Sequence, residues 1–278
     1  MATCYRHPGR ETNVSCSNCG RPICPDCMTS TPVGMRCPEC ARQRTKVHRA
    51  PAGIGSGAAP VTVGLIVINV LAYLAEMAGG GTNPVEGGGS VIVDFGLFGP
   101  AVDDGEWYRI VTGGFLHAGL IHLGFNMLAL YFLGYLLEPA IGPWRFIAVY
   151  FVSLLGGAFG ALLLDPRELT VGASGAVFGL MAAGFIVARN RGLNELASQI
   201  GFFVIINLVF TFSISNISIG GHIGGLIAGG LAAMAIAVGE RRGGDGRLLE
   251  WGGLVALGIL AVVGCMIAAA ESVPSGFG

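Results

Sequence analysis

Seven apolar runs constrain this chain more than any other feature. They lie near residues 61–78, 118–137, 146–164, 174–188, 198–214, 217–238 and 251–270. A helix needs about 20 residues to cross about 30 Å of hydrocarbon. Lipid offers no partner to open backbone groups, and no strand-like alternation suggests a barrel, so each run is predicted to be a helix. The composition agrees: 12% of residues are charged, where soluble domains carry about 25%. The expected fold class is an all-α polytopic membrane protein. Its membrane domain covers 61–271, with a six-helix core over 61–238 and a seventh helix over 251–270. Residues 1–48 form a separate polar module, and 49–60, containing "APAGIGSGAAP", has the composition of a linker. No basic start leads into an apolar run, so no signal peptide is expected.

Charge orients the spans. Arg42, Arg44, Lys46 and Arg49 precede the first one. Arg145, Arg189, Arg191, Arg241, Arg242 and Arg247 fall in the second, fourth and sixth connections. A cytoplasmic N-terminus puts all of these inside and leaves only Arg109 and Arg167, of 16 Lys/Arg, outside. The expectation is an integral multi-pass protein of the plasma membrane, with the N-terminus cytoplasmic and the C-terminus external. A net charge of −1 argues against a general nucleic-acid binder. The long connection 79–117 is then external, and it exceeds a plain turn, so it is expected to fold against the membrane face.

Polar residues inside the spans fall at matched depth. The run 174–188 reaches roughly 22 Å at 1.5 Å per residue, about 8 Å short of the hydrocarbon core. Arg189 and Arg191 pin its inner end, so Ser174 is expected below the outer surface, with "DPRELTVGA" dipping in to reach it. His222 lies roughly 7–8 Å into the sixth span. In the second span His122 lies about 6 Å down, and Asn126 follows at i+4 on the same face. Gly175, Gly179 and Ala183 line one face of the fourth span, and Gly221, Gly225 and Gly229 line one face of the sixth. Such ridges let helices approach closely in lipid.

This set points to acyl-transfer chemistry. Serine is a poor nucleophile until a base takes its proton, and His222 is the natural base for Ser174. The N–H of Ser174, at a helix start, lacks an intrahelical partner, and His122 and Asn126 add side-chain donors for an oxyanion. Gly172 and Gly175 let backbone pass near a substrate. No Asp or Glu lies within the second to sixth spans (Glu138 and Asp165 are at their ends), so a Ser–His dyad fits better than a triad. Phe178, one turn after Ser174, is placed to pack on the imidazole.

The constellation resembles the rhomboid family of intramembrane serine proteases over most of 61–238. The carriers are Gly172-Ala173-Ser174-Gly175, "GHIGGLIAGG" around His222, "HAGLIHLGFN" with His117, His122 and Asn126, "EWYRIVTGGFLH" and "LEPAIGPWRF". The resemblance implies a six-helix rhomboid-like core with Ser174 as nucleophile and His222 as base. It places His122, Asn126 and the Ser174 N–H in the oxyanion hole. It also implies transmembrane protein substrates cut near the outer leaflet, contact with membrane lipids, and no cofactor for catalysis. The alternative is a catalytically inactive relative that binds or chaperones membrane proteins, but such relatives usually lack the Ser or the His. A proton-coupled transporter would want mid-span acids and an inverted repeat, and neither is found.

The neighbouring residues have blander expectations. His117 reads as a structural donor. Arg109 and Trp107 are expected to pin the external loop. Glu138 and Arg145 are expected to pair, and Asn69 and Asn207 to tie helices together. Ser213, Ser215, Asn216 and Ser218 wet the cavity mouth or form a turn, and Cys265 faces lipid or a neighbouring helix.

The N-terminal module repeats a two-residue knuckle: Cys4/His7, Cys16/Cys19, Cys24/Cys27 and Cys37/Cys40. Eight ligands suffice for two closed tetrahedral zinc sites. The spacing and a cytosolic side favour metal over disulfides. Two structural zinc ions would then supply folding energy that so small a core lacks. The order resembles a B-box-type zinc finger. That resemblance implies interleaved pairing, Cys4, His7, Cys24 and Cys27 at one ion and Cys16, Cys19, Cys37 and Cys40 at the other. The closing Cys–Cys pair departs from the commoner ending that contains His, and sequential pairing is the alternative. The module's partner is expected to be acidic lipid or a cytoplasmic protein.

Overall fold

A computed structural model describes residues 2–31, 34–42, 58–80, 89–214, 217–243 and 246–272. The chain divides into two compact units, Met1–Ala50 and Pro51–Gly278. The linker residues 49–57 and the basic residues Arg44, Lys46 and Arg49 lie outside the described residues, as do Ser215 and Asn216.

The first unit is small. It holds two antiparallel ribbons, β1 (Ala2–Thr3) with β2 (Glu11–Thr12) and β3 (Thr29–Thr31) with β4 (Gly34–Arg36), followed by helix α1 (Pro38–Arg42). Its core consists of six buried cysteines and Ile23, flanked by Tyr5 and Met28. One aliphatic side chain cannot hold such a unit together, so cohesion has to come from the sulfur clusters.

The second unit is helical. The apolar runs form α2 (Pro60–Ala78), α6 (Leu120–Ile141), α7 (Pro143–Leu164), α8 (Ser174–Asn190), α9 (Asn194–Ser213), α10 (Ile219–Arg242) and α11 (Gly246–Ala270). Six are long and apolar enough to cross a membrane; α8, at 17 residues, is shorter. The protein is thus an integral multi-pass membrane protein. Several helices outrun the apolar stretches through polar flanks such as Glu138 and Arg241–Arg242, because backbone bonding continues where lipid no longer dictates side-chain chemistry. Three short helices, α3 (Ser90–Phe95), α4 (Gly99–Asp103) and α5 (Arg109–Thr112), fold the long connection as expected.

The centre belongs to α7, α8 and α10. Lipid tails are as apolar as leucine, so close packing rather than water exclusion holds such helices. A Cβ on Gly225 would lie 2.0 Å from the Gly175 carbonyl oxygen, and one on Gly229 would lie 2.3 Å from Gly179 Cα. The two ridges read from the sequence therefore touch backbone to backbone. A third ridge went unread in the sequence: Gly156, Gly157 and Gly160 of α7 face Gly220, Gly221 and Gly224 of α10, and a Cβ on Gly160 would sit 2.2 Å from the Gly220 carbonyl oxygen. By contrast α9 buries only Ala197, Ile200 and Thr211 and packs mainly on α8.

Charged residues fasten the rim, in part differently from expectation. Glu138 does not pair with Arg145. Its carboxylate caps α2, accepting from the Val61 N–H (3.0 Å), the Thr62 N–H (2.8 Å) and the Thr62 hydroxyl (2.8 Å). A carboxylate satisfies the unpartnered N–H groups of a helix start better than a distant guanidinium would satisfy it. Arg145 instead binds Glu250 of α11 through two bonds of 2.6 and 2.7 Å, and Glu240 of α10 at 2.8 Å. The Asn69 and Asn207 amides donate to the carbonyls of Leu65 and Phe203 on their own helices, and Asn69 also interacts across helices with the Tyr150 side chain of α7. Cys265 is fully buried against a neighbouring helix, 4.0 Å from the Leu155 carbonyl oxygen of α7.

Candidate active site

Helix α8 begins at Ser174, and its N-terminal approach is clamped by the long connection before α6. Leu97 and Thr170 exchange backbone bonds of 3.0 and 2.9 Å, Gly99 N–H donates to Pro166, and Gly172 N–H donates to Gly113. Segment 89–117 therefore holds the stretch 165–172 in place, which in turn sets where Ser174 enters the helix. Arg109 locks this segment by donating to the carbonyls of Val93 (2.6 Å) and Gly96 (3.0 Å) and to Glu106 (2.5 Å). The Arg109 and Tyr108 hydrogen bonds hold the Glu106 carboxyl below its usual range. Trp107, expected to share the pinning, is 66% exposed and does not; its neighbours Tyr108 and Arg109 take the polar contacts.

Ser174 Oγ lies 2.8 Å from His222 Nε2. The imidazole is 9% exposed, and Phe178 stacks on it at 4.2 Å between ring centres and 20° between planes. The glycine contacts between α8 and α10 make this distance possible, because any Cβ at Gly225 or Gly229 would push the helices apart. Ser218 does not merely turn the chain: its hydroxyl caps α10, accepting from the Gly221 N–H at 3.1 Å one residue before His222. Ser213 is exposed at the C-terminal end of α9.

His122 reaches the same place from α6. A Cβ on Gly172 would lie 2.7 Å from His122 Cε1, 2.9 Å from its Nε2 and 3.7 Å from Ser174 Oγ. Gly172 has φ of +130°, a conformation that side chains rarely adopt, so both the space and the backbone demand glycine. The Asn126 amide donates to the His122 carbonyl at 3.0 Å, and its side chain shares with Ser174, His122 and His222 the wall of a cavity of about 900 Å³. The four side chains singled out in the sequence are thus brought to one cavity.

Behind them lie further residues, of which sequence reasoning missed Glu76 and Thr211. His117 is fully buried, edge-on to His122 at 5.2 Å, and its backbone N–H donates to the Glu76 carboxylate at 3.0 Å. An acid buried in the first span was the available signal for that contact. His222 Nδ1 lies 2.7 Å from Thr211 Oγ1 on α9. No acid faces the imidazole in that contact, as the sequence suggested, but a hydroxyl does; a lone threonine near a span end gives no pattern to find.

In the N-terminal unit, the ligand atoms of Cys4, His7, Cys24 and Cys27 lie within 4.8 Å of one another, as do those of Cys16, Cys19, Cys37 and Cys40. The interleaved sets lie together rather than the sequential ones. His7 Nδ1 is 3.8, 3.3 and 3.4 Å from the sulfurs of Cys4, Cys24 and Cys27, and Cys19 and Cys37 sulfurs are 3.8 Å apart. Tetrahedral zinc with Zn–S of about 2.3 Å and Zn–N of about 2.0–2.1 Å demands edges of roughly 3.5–3.8 Å. Backbone and amide N–H groups also point at the sulfurs: Cys37 N–H to Cys16 at 3.3 Å and Asn18 to Cys40 at 3.3 Å. The donor sets fit two zinc ions.

Helical bundle, glycine seams and a serine touching a histidine in the wall of a cavity define a polytopic membrane protein with a hydrolase-like site. Residues 104–239 match the rhomboid domain model. The chain is 37% identical over 191 residues to "Rhomboid protease GluP" of Bacillus subtilis (strain 168), covering 67% of this chain and 36% of that protein. It is 36% identical over 148 residues to "Putative rhomboid protease YdcA" of the same organism, covering 51% and 73% respectively. It is 26% identical over 218 residues to "Rhomboid protease AarA" of Providencia stuartii, covering 67% and 76%. The chain spans about a third of the length of GluP. It belongs to the rhomboid family.

Proposed function

We propose that the protein is an intramembrane serine endopeptidase that cuts transmembrane protein substrates near the outer leaflet. The observation that carries this reading is the 2.8 Å contact between Ser174 Oγ and His222 Nε2 inside a cavity within a helical membrane bundle. His222 accepts the Ser174 proton as Oγ attacks the scissile carbonyl, then delivers that proton to the leaving amine. Water enters from the cavity and releases the acyl group by the same steps in reverse roles. The developing oxyanion takes hydrogen bonds from the Ser174 N–H and from the side chains of His122 and Asn126; losing one such donor costs about 2.7–4 kcal/mol of transition-state stabilisation. No cofactor enters the chemistry. Phe178 keeps the imidazole from swinging away.

The orientation read from the basic residues, cytoplasmic N-terminus and external C-terminus in the plasma membrane, places this cavity toward the outside. In the cytoplasmic module Cys4, His7, Cys24 and Cys27 would hold one zinc ion and Cys16, Cys19, Cys37 and Cys40 another, both structural. That module is suited to meet a cytoplasmic protein or acidic lipid, and no nucleic-acid-reading element supports a different partner. An inactive binding relative is the competing reading, and retention of both Ser174 and His222 in contact disfavours it.

The test is cleavage of a transmembrane reporter by the purified protein, with labelling by a fluorophosphonate probe. Wild type is expected to cleave and label, while Ser174→Ala and His222→Ala insert normally and do neither. Cleavage that survives Ser174→Ala removes Ser174 as nucleophile, and a wild type that neither cleaves nor labels selects the inactive alternative.

A further inference from the structure

We propose that Thr211 is a positioning residue for the catalytic base, converting the Ser–His pair into a directed chain of three hydrogen bonds. The proposal rests on the protease reading above. Thr211 stands near the C-terminal end of α9, a helix that otherwise buries little, yet it is 1% exposed. Its Oγ1 makes two contacts, 2.7 Å to His222 Nδ1 and 2.7 Å to the Asn207 carbonyl oxygen one turn earlier in the same helix.

A hydroxyl carries one proton, and a carbonyl oxygen can only accept. The Thr211 proton therefore goes to Asn207, and Oγ1 is left to present a lone pair to the imidazole. That lone pair selects the tautomer in which Nδ1 bears the hydrogen and donates to Thr211. Nε2 is then left with its lone pair, facing Ser174 Oγ at 2.8 Å. The alternative tautomer would turn an N–H toward Ser174 and oppose two lone pairs at 2.7 Å, and it could not take the serine proton. When His222 does take that proton, the imidazolium keeps its Nδ1–H bond to Thr211, so the group is held at the same angle through both protonation states. This is the orienting task that a third residue performs for a catalytic histidine, carried out here by a neutral oxygen whose own proton is tied to backbone. Phe178 fixes the plane of the ring by stacking, and Thr211 fixes its rotation within that plane. A buried threonine spending its hydroxyl on its own helix needs no second partner, so the imidazole contact is not explained by helix stability.

The test uses the full-length protein and compares Thr211→Val with Thr211→Ser. Valine keeps the shape and removes the acceptor; serine keeps the acceptor and removes the methyl. Cleavage of the transmembrane reporter gives kcat and KM, the fluorophosphonate labelling rate reports serine activation directly, and thermal unfolding controls for folding. Thr211→Val is expected to lower kcat and the labelling rate by about ten- to a hundredfold, the worth of one hydrogen bond to a charged group, with KM unchanged. Thr211→Ser is expected to keep most of both rates. If Thr211→Val labels as fast as wild type, or if Ser is as impaired as Val, the positioning role is refuted and the threonine is only packing. If wild type itself neither labels nor cleaves, the protease reading fails first and this proposal falls with it.

Discussion

Gly225→Ala is the sharpest probe of how the bundle builds the active site. The added methyl would start 2.0 Å from the Gly175 carbonyl oxygen, 2.6 Å from its carbonyl carbon and 2.8 Å from its Cα, all of them backbone atoms of α8. No rotamer change relieves a clash with backbone. Ordinary contact begins near 3.4 Å, so α8 and α10 must part locally by about 1.4 Å. Carried to the ends of the same helices, that displacement stretches the Ser174–His222 contact from 2.8 Å to about 4 Å, beyond the roughly 2.6–3.2 Å that proton transfer needs. A misplacement of about 1 Å can cost about a hundredfold in rate. Stability should suffer less. Overpacking costs about 1–3 kcal/mol, and alanine recovers about 1 kcal/mol of helix propensity relative to glycine. The assay is the fluorophosphonate labelling rate in detergent beside the thermal unfolding midpoint. Gly252→Ala on α11, where nothing lies within 4 Å of the added methyl, is the control for glycine replacement as such. A Gly225→Ala protein that labels at the wild-type rate would refute the claim that backbone contact sets the dyad distance.

Other expectations follow from the same contacts. Glu138→Ala strips three bonds from the start of α2 and is expected to cost about 3 kcal/mol, read as a lower unfolding midpoint. Glu250→Ala leaves the half-buried Arg145 with only the exposed Glu240; breaking a buried ion pair costs about 3–5 kcal/mol, so this variant should unfold well before wild type, whereas Glu240→Ala should not. Gly172→Ala places a methyl 2.7 Å from the His122 ring and forces a strained φ, and reporter cleavage should fall at least tenfold with the chain still inserted. Elemental analysis of gently purified protein should find two zinc ions per chain, and a strong chelator should abolish the ordered near-ultraviolet signal of an isolated N-terminal module only if metal supplies its fold.

Much of the site was legible before any coordinates because each of its chemical requirements leaves a separate mark. A nucleophile in Gly-Ala-Ser-Gly, a histidine among glycines, and His122 and Asn126 one turn apart are local patterns, and helix pitch alone places them at similar depth. The two-residue knuckles of the N-terminal module are likewise local, since zinc requires paired ligands. What failed were inferences about partners across helices. Glu138 and Arg145 are close in sequence and opposite in charge, yet each found a better partner far along the chain, at 76–77 and 105 residues' separation. The amide of Asn207 turned back on its own helix, where a carbonyl is always within reach.

The sequence by itself determined the spans, their likeness in depth, and the residue types capable of acyl transfer, because the period of a helix and the thickness of a bilayer act on any chain with these apolar runs. Only the tertiary structure decided which seams close. The glycines of α7 hold α10 as tightly as those of α8 do, Gly172 makes room for His122, and Thr211 meets the far side of His222. Those outcomes depend on how rigid helices rotate and tilt against one another, and rotation about a helix axis leaves no trace in a linear pattern once all faces are apolar.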